Sequence, residues 1–402
     1  MYLKEFPVEF QRALPILQQI EAHGYEAYFV GGSVRDFLLG KPIADVDIAT
    51  SAFPAEIKEI FHKTIDTGIK HGTVTVMMDS VGYEVTTFRT ETGYQDFRRP
   101  DHVTFVRSLK QDLQRRDFTI NALAVRADGL VIDEYHGLDD LAAQEIRAVG
   151  NADERFHEDA LRMMRAVRFA SQLGFQITAD TYNSLLHNAP LLQKIAVERI
   201  HTEFVKMMLS KNWRIGWQQF VKSGLIKQTP FFDQLDSVFP TFLSGQQPLL
   251  DEAAIWVLLA ESLQLSREQL TQLLHAWKSA NEVIEDSLST LAFSRQLKAE
   301  AWPTAIQLYR IDANIIERLA TVWPLLSWRA DFTKLAIMYQ RLPIKARHEL
   351  QLNGADLIDK LNLRPGPIIG ELLDEAEAAV VTGQLKNQSD ILLQWATNQL
   401  DK

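Results

Sequence analysis

Hydrophobic and polar positions follow two different periods along this chain of 402 residues. In the first 150 residues, short apolar runs alternate with turn signals, which predicts strands mixed with a few helices. Beyond residue 150, apolar positions recur at helical spacing and few segments resemble strands. The sequence therefore predicts an α+β class: an N-terminal head with a mixed sheet and helices, followed by an all-α remainder.

Turn residues delimit the elements of the head. Residues 10–22 are predicted to form a helix, and a strand over 25–30 leads into Gly31-Gly32. Ser33 is expected to cap a short helix that ends at Gly40. Further strands are predicted over 46–48, 74–78 and 83–88, and the charged segment 90–104 is predicted to be a mobile loop. After Gly150, helices are predicted over 154–173, 179–188, 197–210 and 213–221, with an interruption at Pro365-Gly366-Pro367.

Composition narrows the chemistry. The chain has no cysteine, so a metal ion would need oxygen or imidazole ligands, and oxygen ligands favour magnesium. No apolar run is long enough to span a membrane, and no signal peptide is evident, so a cytoplasmic protein is expected. The net charge of −10 opposes indiscriminate nucleic-acid binding. Residues 190–230, with seven Lys/Arg against two Glu, are the best candidate for a local RNA-binding patch.

A glycine turn followed by two acids is the most informative motif. Backbone N–H groups at Gly31-Gly32 can approach phosphates, and Arg35 adds a cationic fork. Asp45 and Asp47, if in a strand, point to one face and could share magnesium ions. An isolated D-x-D is usually a surface turn, but the preceding glycine turn favours a nucleotide site. Glu84 could supply a third carboxylate, or it could be an ordinary exposed strand residue.

Two arginine-rich segments are further candidates. In the segment from Arg115 to Asn121, Arg116 could bind a triphosphate or ribose with Asp117 and Asn121 fixing it, or the segment could be a charged helix cap. Residues 158–168 are strongly helical, and an intrahelical pair between Asp159 and Arg162 is the simplest interpretation there. At 100° per residue, one face of such a helix is not expected to present Arg162, Arg165 and Arg168 to the same small group.

Taken in order, these blocks resemble the class II tRNA nucleotidyltransferases, which include the bacterial CCA-adding enzymes and their poly(A) polymerase relatives. The resemblance is carried by residues 31–50, 115–124 and 158–169, and it returns at 353–356 and 365–370. It implies a catalytic head over 1–150, a nucleotide-selecting neck over 151–230, a body over 231–340 and a tRNA-binding tail over 341–402. Carried over by position, it implies Mg²⁺ at the catalytic residues Asp45 and Asp47, and nucleotide binding (CTP or ATP) by Gly32, Arg35, Arg116, Asp159, Arg162, Arg165 and Arg168.

The implied activity is addition of C, C and A to the 3′ end of tRNA, with Asp159 and Arg162 reading the base and Arg165 and Arg168 holding phosphate or bracing the helix. A CC-adding, A-adding or poly(A)-adding enzyme would use the same carboxylates; the intact segment 90–104 argues against a CC-only enzyme. A silent RNA-binding protein would not need Asp45, Asp47 and Arg116, and a small-molecule nucleotidyltransferase would leave the helical half unexplained. The sequence leaves the oligomeric state open, a homodimer included.

Overall fold

The computed structural model describes residues 1–95, 99–234, 247–299 and 302–400. The chain divides into two compact units, Met1–Asp236 and Ser237–Lys402. The first unit contains the predicted α+β head and the helices that follow it, and the described part of the second unit is helical. The α+β class is therefore confirmed, whereas the division into head, neck, body and tail stays a prediction.

The first unit contains ten α-helices and eleven strands in its described residues, together with short 3₁₀ turns. The helices are α1 (Val8–Ala22), α2 (Gly32–Leu38), α3 (Pro54–Ile60), α4 (Leu109–Gln114), α5 (Gly137–Ala143), α6 (Ala152–Glu158), α7 (Leu161–Leu173), α8 (Ala179–Asn188), α9 (Val197–Met208) and α10 (Trp213–Lys222). The strands are β1 (Ala27–Val30), β2 (Asp47–Thr50), β3 (Thr64–Gly68), β4 (Thr73–Met78), β5 (Val81–Thr87), β6 (Arg89–Gln95), β7 (Arg99–Phe105), β8 (Leu123–Arg126), β9 (Val131–Asp133), β10 (Glu145–Ile146) and β11 (Gln176–Ile177).

Seven of these strands form one mixed sheet in the order β3-β4-β5-β2-β1-β8-β9. Only the pair of β2 and β5 is parallel in this sheet, and its register places Asp47 opposite Glu84. The sheet therefore brings together two acids that lie 37 positions apart (84 minus 47) along the sequence. β6 and β7 form a separate antiparallel hairpin, and β10 pairs with β11.

Aromatic packing fixes α1 against the sheet. Phe10 is fully buried and stacks on Phe29 of β1 with ring centroids 4.3 Å apart, and Phe6 meets both rings edge-on. Such contacts contribute about 0.5–1.5 kcal/mol per pair beyond the burial of apolar area. The helix is consequently held in one position relative to the strand that leads into Gly31.

The helical layer that follows is built around α7, whose residues Met163, Met164, Ala166 and Val167 are fully buried. Its neighbour α10 approaches closely through Gly216, where a Cβ atom would lie 2.6 Å from Met207 Cγ and 2.7 Å from Ser171 Cβ. A larger side chain there would push the helices apart. The tight contact fixes the helix that carries three of the predicted nucleotide-binding arginines.

Several elements differ from the prediction. The strand predicted over 46–48 begins at Asp47, so Asp45 lies in the preceding loop rather than on the same strand face. Gly31, not Ser33, is the N-cap of α2, and the Ser33 hydroxyl donates to the carbonyl of Val30 instead. The predicted mobile loop over 90–104 belongs mostly to the hairpin β6–β7, and its residues 96–98 lie outside the described residues.

The predicted helix over 154–173 is two helices, because the backbone at Asp159 is extended (φ −142°, ψ 102°). The Asp159 carboxylate accepts a hydrogen bond from the Leu161 N–H at 3.1 Å. A short acid that bonds to nearby backbone competes with helix continuation, which explains the break. The prediction of an i, i+3 pair on one continuous helix is therefore wrong.

The second unit has nine α-helices in its described residues: α11 (Glu252–Ser262), α12 (Arg267–Ala276), α13 (Asn281–Ala299), α14 (Ala305–Tyr309), α15 (Ala313–Val322), α16 (Phe332–Gln340), α17 (Gly354–Leu361), α18 (Pro367–Val381) and α19 (Ser389–Leu400). Helix α11 is central, since every residue from Ala254 to Ala260 is fully buried. The predicted interruption at Pro365-Gly366-Pro367 is confirmed as the boundary between α17 and α18.

Candidate active site

A cleft of about 500 Å³ lies where the glycine turn, the sheet and helix α7 meet. It contains all seven residues predicted to bind the nucleotide, together with Asp47; Asp45 does not line it. The lining residues are Gly31, Gly32, Arg35, Asp47, Arg115, Arg116, Asp117, Asn121, Asp159, Leu161, Arg162, Arg165, Arg168, Phe169 and Arg199. We call this the arginine cleft, because seven of its lining side chains are guanidinium groups.

The glycine turn allows the backbone to come close to the charged side chains. Gly31 has φ +72°, a conformation that other residues adopt only with strain. A Cβ atom there would lie 3.1 Å from Nη1 of Arg116 and 3.5 Å from Oδ2 of Asp47. The turn at Gly31 therefore abuts both a predicted phosphate ligand and a predicted catalytic acid.

Arg35 is buried, and its guanidinium is held in place by contacts on several sides. Its Nη1 donates to the side-chain oxygen of Asn121 at 2.6 Å, and Nε and Nη2 donate to Asp36 at 2.9 and 3.0 Å. The guanidinium also lies 4.9 Å from the ring centroid of Phe169, a favourable cation–π position. Helix α2 and the segment before β8 thus position the same cation.

Arg116 is held by Asp112 and by the backbone of Asn121. Its Nη2 lies 3.5 Å from the Asp112 carboxylate, and its Nη1 donates to the Asn121 carbonyl at 3.3 Å. Burial opposes ionisation of Asp112, but Arg115 and Arg116 hold the pKa of this carboxyl below its usual value. The Nε of Arg116 is buried and has no hydrogen-bond partner in the described part of the chain.

The sequence suggested that Asp117 fixes Arg116, but within the described residues Asp117 makes no direct hydrogen bond to Arg116. Its carboxylate binds Arg165 (2.6 Å to Nη2) and the side-chain amide of Asn121 (3.0 Å). Burial opposes ionisation of this carboxyl, but Arg165 and Asn121 hold its pKa well below the usual range. Asp117 is therefore a charged partner that joins the end of the head to helix α7.

Asp159 and Arg162 line the cleft, but each is bound to a different partner. The Asp159 carboxylate accepts from both terminal nitrogens of Arg199, at 2.8 and 3.3 Å. Arg162 donates to Glu158 at 2.6 Å and to the carbonyl of Arg115 at 2.7 Å. The intrahelical pair inferred from spacing is thus replaced by a pair between Glu158 and Arg162.

Arg165 and Arg168 continue along the same side of α7. Arg168 is buried, binds Glu203 of α9 and Gln172, and lies 4.0 Å from the centroid of Phe169. At 100° per residue, positions 162, 165 and 168 span about 120° of helix circumference. All three line the arginine cleft. The expectation that they do not all contact the same small group stays a prediction.

The carboxylates suit a divalent cation. Burial raises the pKa of Asp47, and Glu84 and Asp45 raise it further, whereas Arg116 only partly opposes them. This excess of negative charge on oxygen donors is what a magnesium ion would relieve. Within the described residues, no three His, Asp or Glu side chains are close enough to hold a metal ion. Two carboxylates are consistent with magnesium, which usually takes its other ligands from water and substrate phosphates.

Sequence reasoning missed Arg199 as a member of this site. It lies on α9, one turn before Glu203, and these two side chains contact Asp159 and Arg168 respectively. The only signal was the i, i+4 spacing of Arg199 and Glu203, and an ordinary exposed helix shows the same pattern of opposite charges.

Lys206 and Lys211, from the predicted RNA-binding stretch, are exposed. Among the helices that the structure describes, none combines the length and the hydrophobicity that a transmembrane span requires.

Comparison with known proteins agrees with this geometry. Residues 27–147 match the family described as "Poly A polymerase head domain", and residues 247–396 match a family described as tRNA nucleotidyltransferase domain 2. The CCA-adding enzyme of Limosilactobacillus reuteri is 48% identical over 395 residues, which is 98% of each chain. That of Enterococcus faecalis is 48% identical over 406 residues, 100% of this chain and 99% of the relative.

A solved structure gives the same result. The crystal structure of the Bacillus stearothermophilus CCA-adding enzyme in complex with CTP matches with a TM-score of 0.82 and 39% identity, covering 98% of each chain. The chain belongs to the CCA-adding enzymes, the bacterial class II tRNA nucleotidyltransferases of the poly(A) polymerase superfamily.

Proposed function

We propose that this chain adds C, C and A in succession to the 3′ end of tRNA from CTP and ATP, with the base chosen by protein side chains rather than by a nucleic-acid template. The observation that carries the proposal is the arginine cleft, which places seven arginines and Asp47 around one space of about 500 Å³. A nucleoside triphosphate needs both features, because its phosphates require cations and its transfer requires a carboxylate beside the reacting phosphorus.

The triphosphate is assigned to the end of the cleft near the glycine turn. Helix α2 begins at Gly32, so its first N–H groups offer donors for phosphate oxygens. Arg35 and Arg116 supply fixed positive charge there, and the buried Nε–H of Arg116 has no hydrogen-bond acceptor among the described residues. Phosphate oxygens would satisfy that buried donor, which otherwise costs about 1–3 kcal/mol.

The base is assigned to Asp159 and Arg162. A carboxylate has about four acceptor positions, and Asp159 uses three of them on Arg199 and the Leu161 N–H. A guanidinium has five N–H groups, and within the described residues Arg162 uses three, on Glu158, Arg155 and Arg115. One acceptor and two donors remain. Cytosine and adenine each present an exocyclic amine beside a ring-nitrogen acceptor, which this pair can bind.

Asp45 and Asp47 are assigned to magnesium, with the surrounding carboxylate Glu84 raising the local negative charge. When bound, the metal would lower the pKa of the attacking hydroxyl and neutralise charge on the triphosphate. The protein's own contribution is to hold Asp47 beside the glycine turn and in register with β5, with Asp45 in the loop before β2, and to aim the arginines at the phosphates. Pairing of the arginines with buried acids keeps them oriented before substrate arrives.

Partial addition and poly(A) addition remain the competing functions, since they would use the same carboxylates and arginines. They are separated by incubating the protein with tRNA that ends before CCA, or after CC, together with labelled CTP, ATP, GTP or UTP, and sizing the products. Full activity predicts three added nucleotides on the first RNA and one on the second. A product that stops at two residues, or a long A tail, would refute it.

We further place the protein in the cytoplasm, where tRNA and nucleoside triphosphates are both present. The tRNA acceptor arm is the proposed macromolecular partner, and the exposed Lys206 and Lys211 are proposed to contact its backbone. A homodimer is compatible with the proposal and is tested by light scattering with and without tRNA. Loss of activity on dilution below a measured dimer dissociation constant would assign it a functional role.

A further inference from the structure

A second cleft, of about 470 Å³, shares Asp47 with the arginine cleft. It is lined by residues from α1, from the loop before β2 and from β5: Glu9, Arg12, Ala44, Asp45, Val46, Asp47, Val81, Gly82, Tyr83 and Glu84. Asp47 is the one described residue common to the two sets of lining residues. A pair of substrates that meet at this carboxylate could therefore each occupy a separate cleft.

The two clefts have opposite charge character. The arginine cleft contains seven arginines. In the second cleft, Arg12 is the only cation among the described lining residues, and the other ionised groups are the acids Glu9, Asp45, Asp47 and Glu84. The triphosphate belongs with the arginines. The second cleft suits a group with little negative charge beside the acids, such as a ribose with its hydroxyls, and one anionic group near Arg12.

Arg12 is well placed for such a contact. It is exposed, and it makes no ion pair among the residues that the structure describes. Its helix does not depend on it for position, because α1 is anchored by the buried stack of Phe10 on Phe29 at 4.3 Å. A free guanidinium on a fixed helix can bind an anion without first giving up another partner.

We propose that the second cleft binds the 3′-terminal nucleotide of the RNA acceptor, with its ribose towards Asp45 and Asp47 and its 5′ phosphodiester on Arg12. Nucleotidyl transfer requires an attacking 3′ hydroxyl in line with the leaving pyrophosphate. With the triphosphate in the arginine cleft, the hydroxyl must reach Asp47 from elsewhere. A smaller cleft of about 220 Å³ also includes Asp47, but it shares Arg115 and Arg116 with the arginine cleft, whereas the second cleft shares only Asp47 with it. The inference rests on the proposed function and assigns Arg12 a positioning role that sequence motifs did not suggest.

The first test compares Arg12→Ala with Arg12→Lys and with the matched control Lys4→Ala. Lys4 is exposed, precedes the same helix and lines neither cleft. Arg12→Ala should lower kcat/KM for tRNA lacking CCA by about tenfold or more, leave the KM for CTP unchanged, and be partly restored by lysine. Lys4→Ala should behave as wild type. An effect of Arg12→Ala on the KM for CTP alone would overturn the assignment.

The second test locates the contact on the RNA. The acceptor is synthesised with a neutral methylphosphonate at its last internucleotide linkage, and both RNAs are assayed with wild type and Arg12→Ala. If Arg12 contacts that phosphate, the neutral linkage should impair the wild type about as much as the mutation does and impair the mutant little further. If the combined loss in kcat/KM instead equals the product of the losses caused by the mutation and by the neutral linkage separately, the proposal is overturned. A wild type unable to extend unmodified tRNA would instead refute the proposed function itself.

Discussion

Removal of the Asp159 carboxylate tests base selection most directly. In Asp159→Ala, the exocyclic amine of cytosine or adenine loses its acceptor. Arg199 loses its partner too, but its side chain is 26% exposed and water can solvate it. The main loss is therefore one hydrogen bond to a charged group, about 1.5–3 kcal/mol. This energy corresponds to a roughly 10- to 150-fold decrease in kcat/KM for CTP and ATP.

The assay measures kcat/KM for CTP and UTP on tRNA lacking CCA, and for ATP and GTP on tRNA ending in CC. UTP and GTP should change little in Asp159→Ala, because their carbonyl groups make no favourable contact with the carboxylate. The ratio of correct to incorrect nucleotide should therefore fall by the same 10- to 150-fold factor. Glu154→Ala is the matched control, since it removes an equally charged, exposed side chain from α6.

A second substitution sharpens the test. Asp159→Asn preserves the size of the side chain, and its amide oxygen can still accept from Arg199 while its NH₂ group faces the base. An amide donor matches the carbonyl of uracil, so UTP incorporation should rise relative to CTP. Wild-type selectivity in a folded Asp159→Ala protein, or no gain for UTP in Asp159→Asn, would show that Asp159 braces Arg199 and does not read the base.

Three further predictions concern the metal site and the RNA-binding stretch. Asp45→Ala or Asp47→Ala should decrease addition of both C and A by about a thousandfold or more, measured by single-turnover incorporation, because one site serves every step. In metal-free protein, Glu84→Gln should lower the pKa of Asp47, measured by NMR titration, because the negative charge of Glu84 raises it. An unchanged pKa would show that Glu84 does not interact electrostatically with Asp47. Charge reversal at Lys206 and Lys211 should weaken tRNA binding and flatten its salt dependence, without changing CTP binding.

The sequence predicted the site best where the chemistry is local. The glycine turn, Arg35 and the acids at 45 and 47 fall within 17 positions (47 minus 31 plus one), so a contiguous pattern could indicate a nucleotide site. Most head strands were also predictable, because half-buried strands alternate polar and apolar residues. The register of β2 against β5 was not, and it alone places Glu84 opposite Asp47. Long-range pairing leaves no mark in a single sequence.

The helix break at Asp159 shows a different limit. The apolar positions on both sides of it keep helical period, so periodicity favoured one helix. What ends α6 is a local competitor, the hydrogen bond that the Leu161 N–H donates to the Asp159 carboxylate, and Arg199 from α9 also donates to this carboxylate. The i, i+3 spacing thus selected Asp159 and Arg162, which do line one cleft, although they are not on one continuous helix as the prediction assumed.

The paired acids explain how seven arginines can share one cleft before any substrate is bound. Unscreened, neighbouring guanidinium groups would repel one another in a partly buried space. Each of the seven is paired with a buried or half-buried acid: Asp36 pairs with Arg35, Asp112 with Arg115 and Arg116, Asp117 with Arg165, Glu158 with Arg162, Glu203 with Arg168, and Asp159 with Arg199. Each pair leaves further N–H groups on the guanidinium for phosphate or base. The same pairing explains how a cleft with seven arginines occurs in a chain whose net charge is −10.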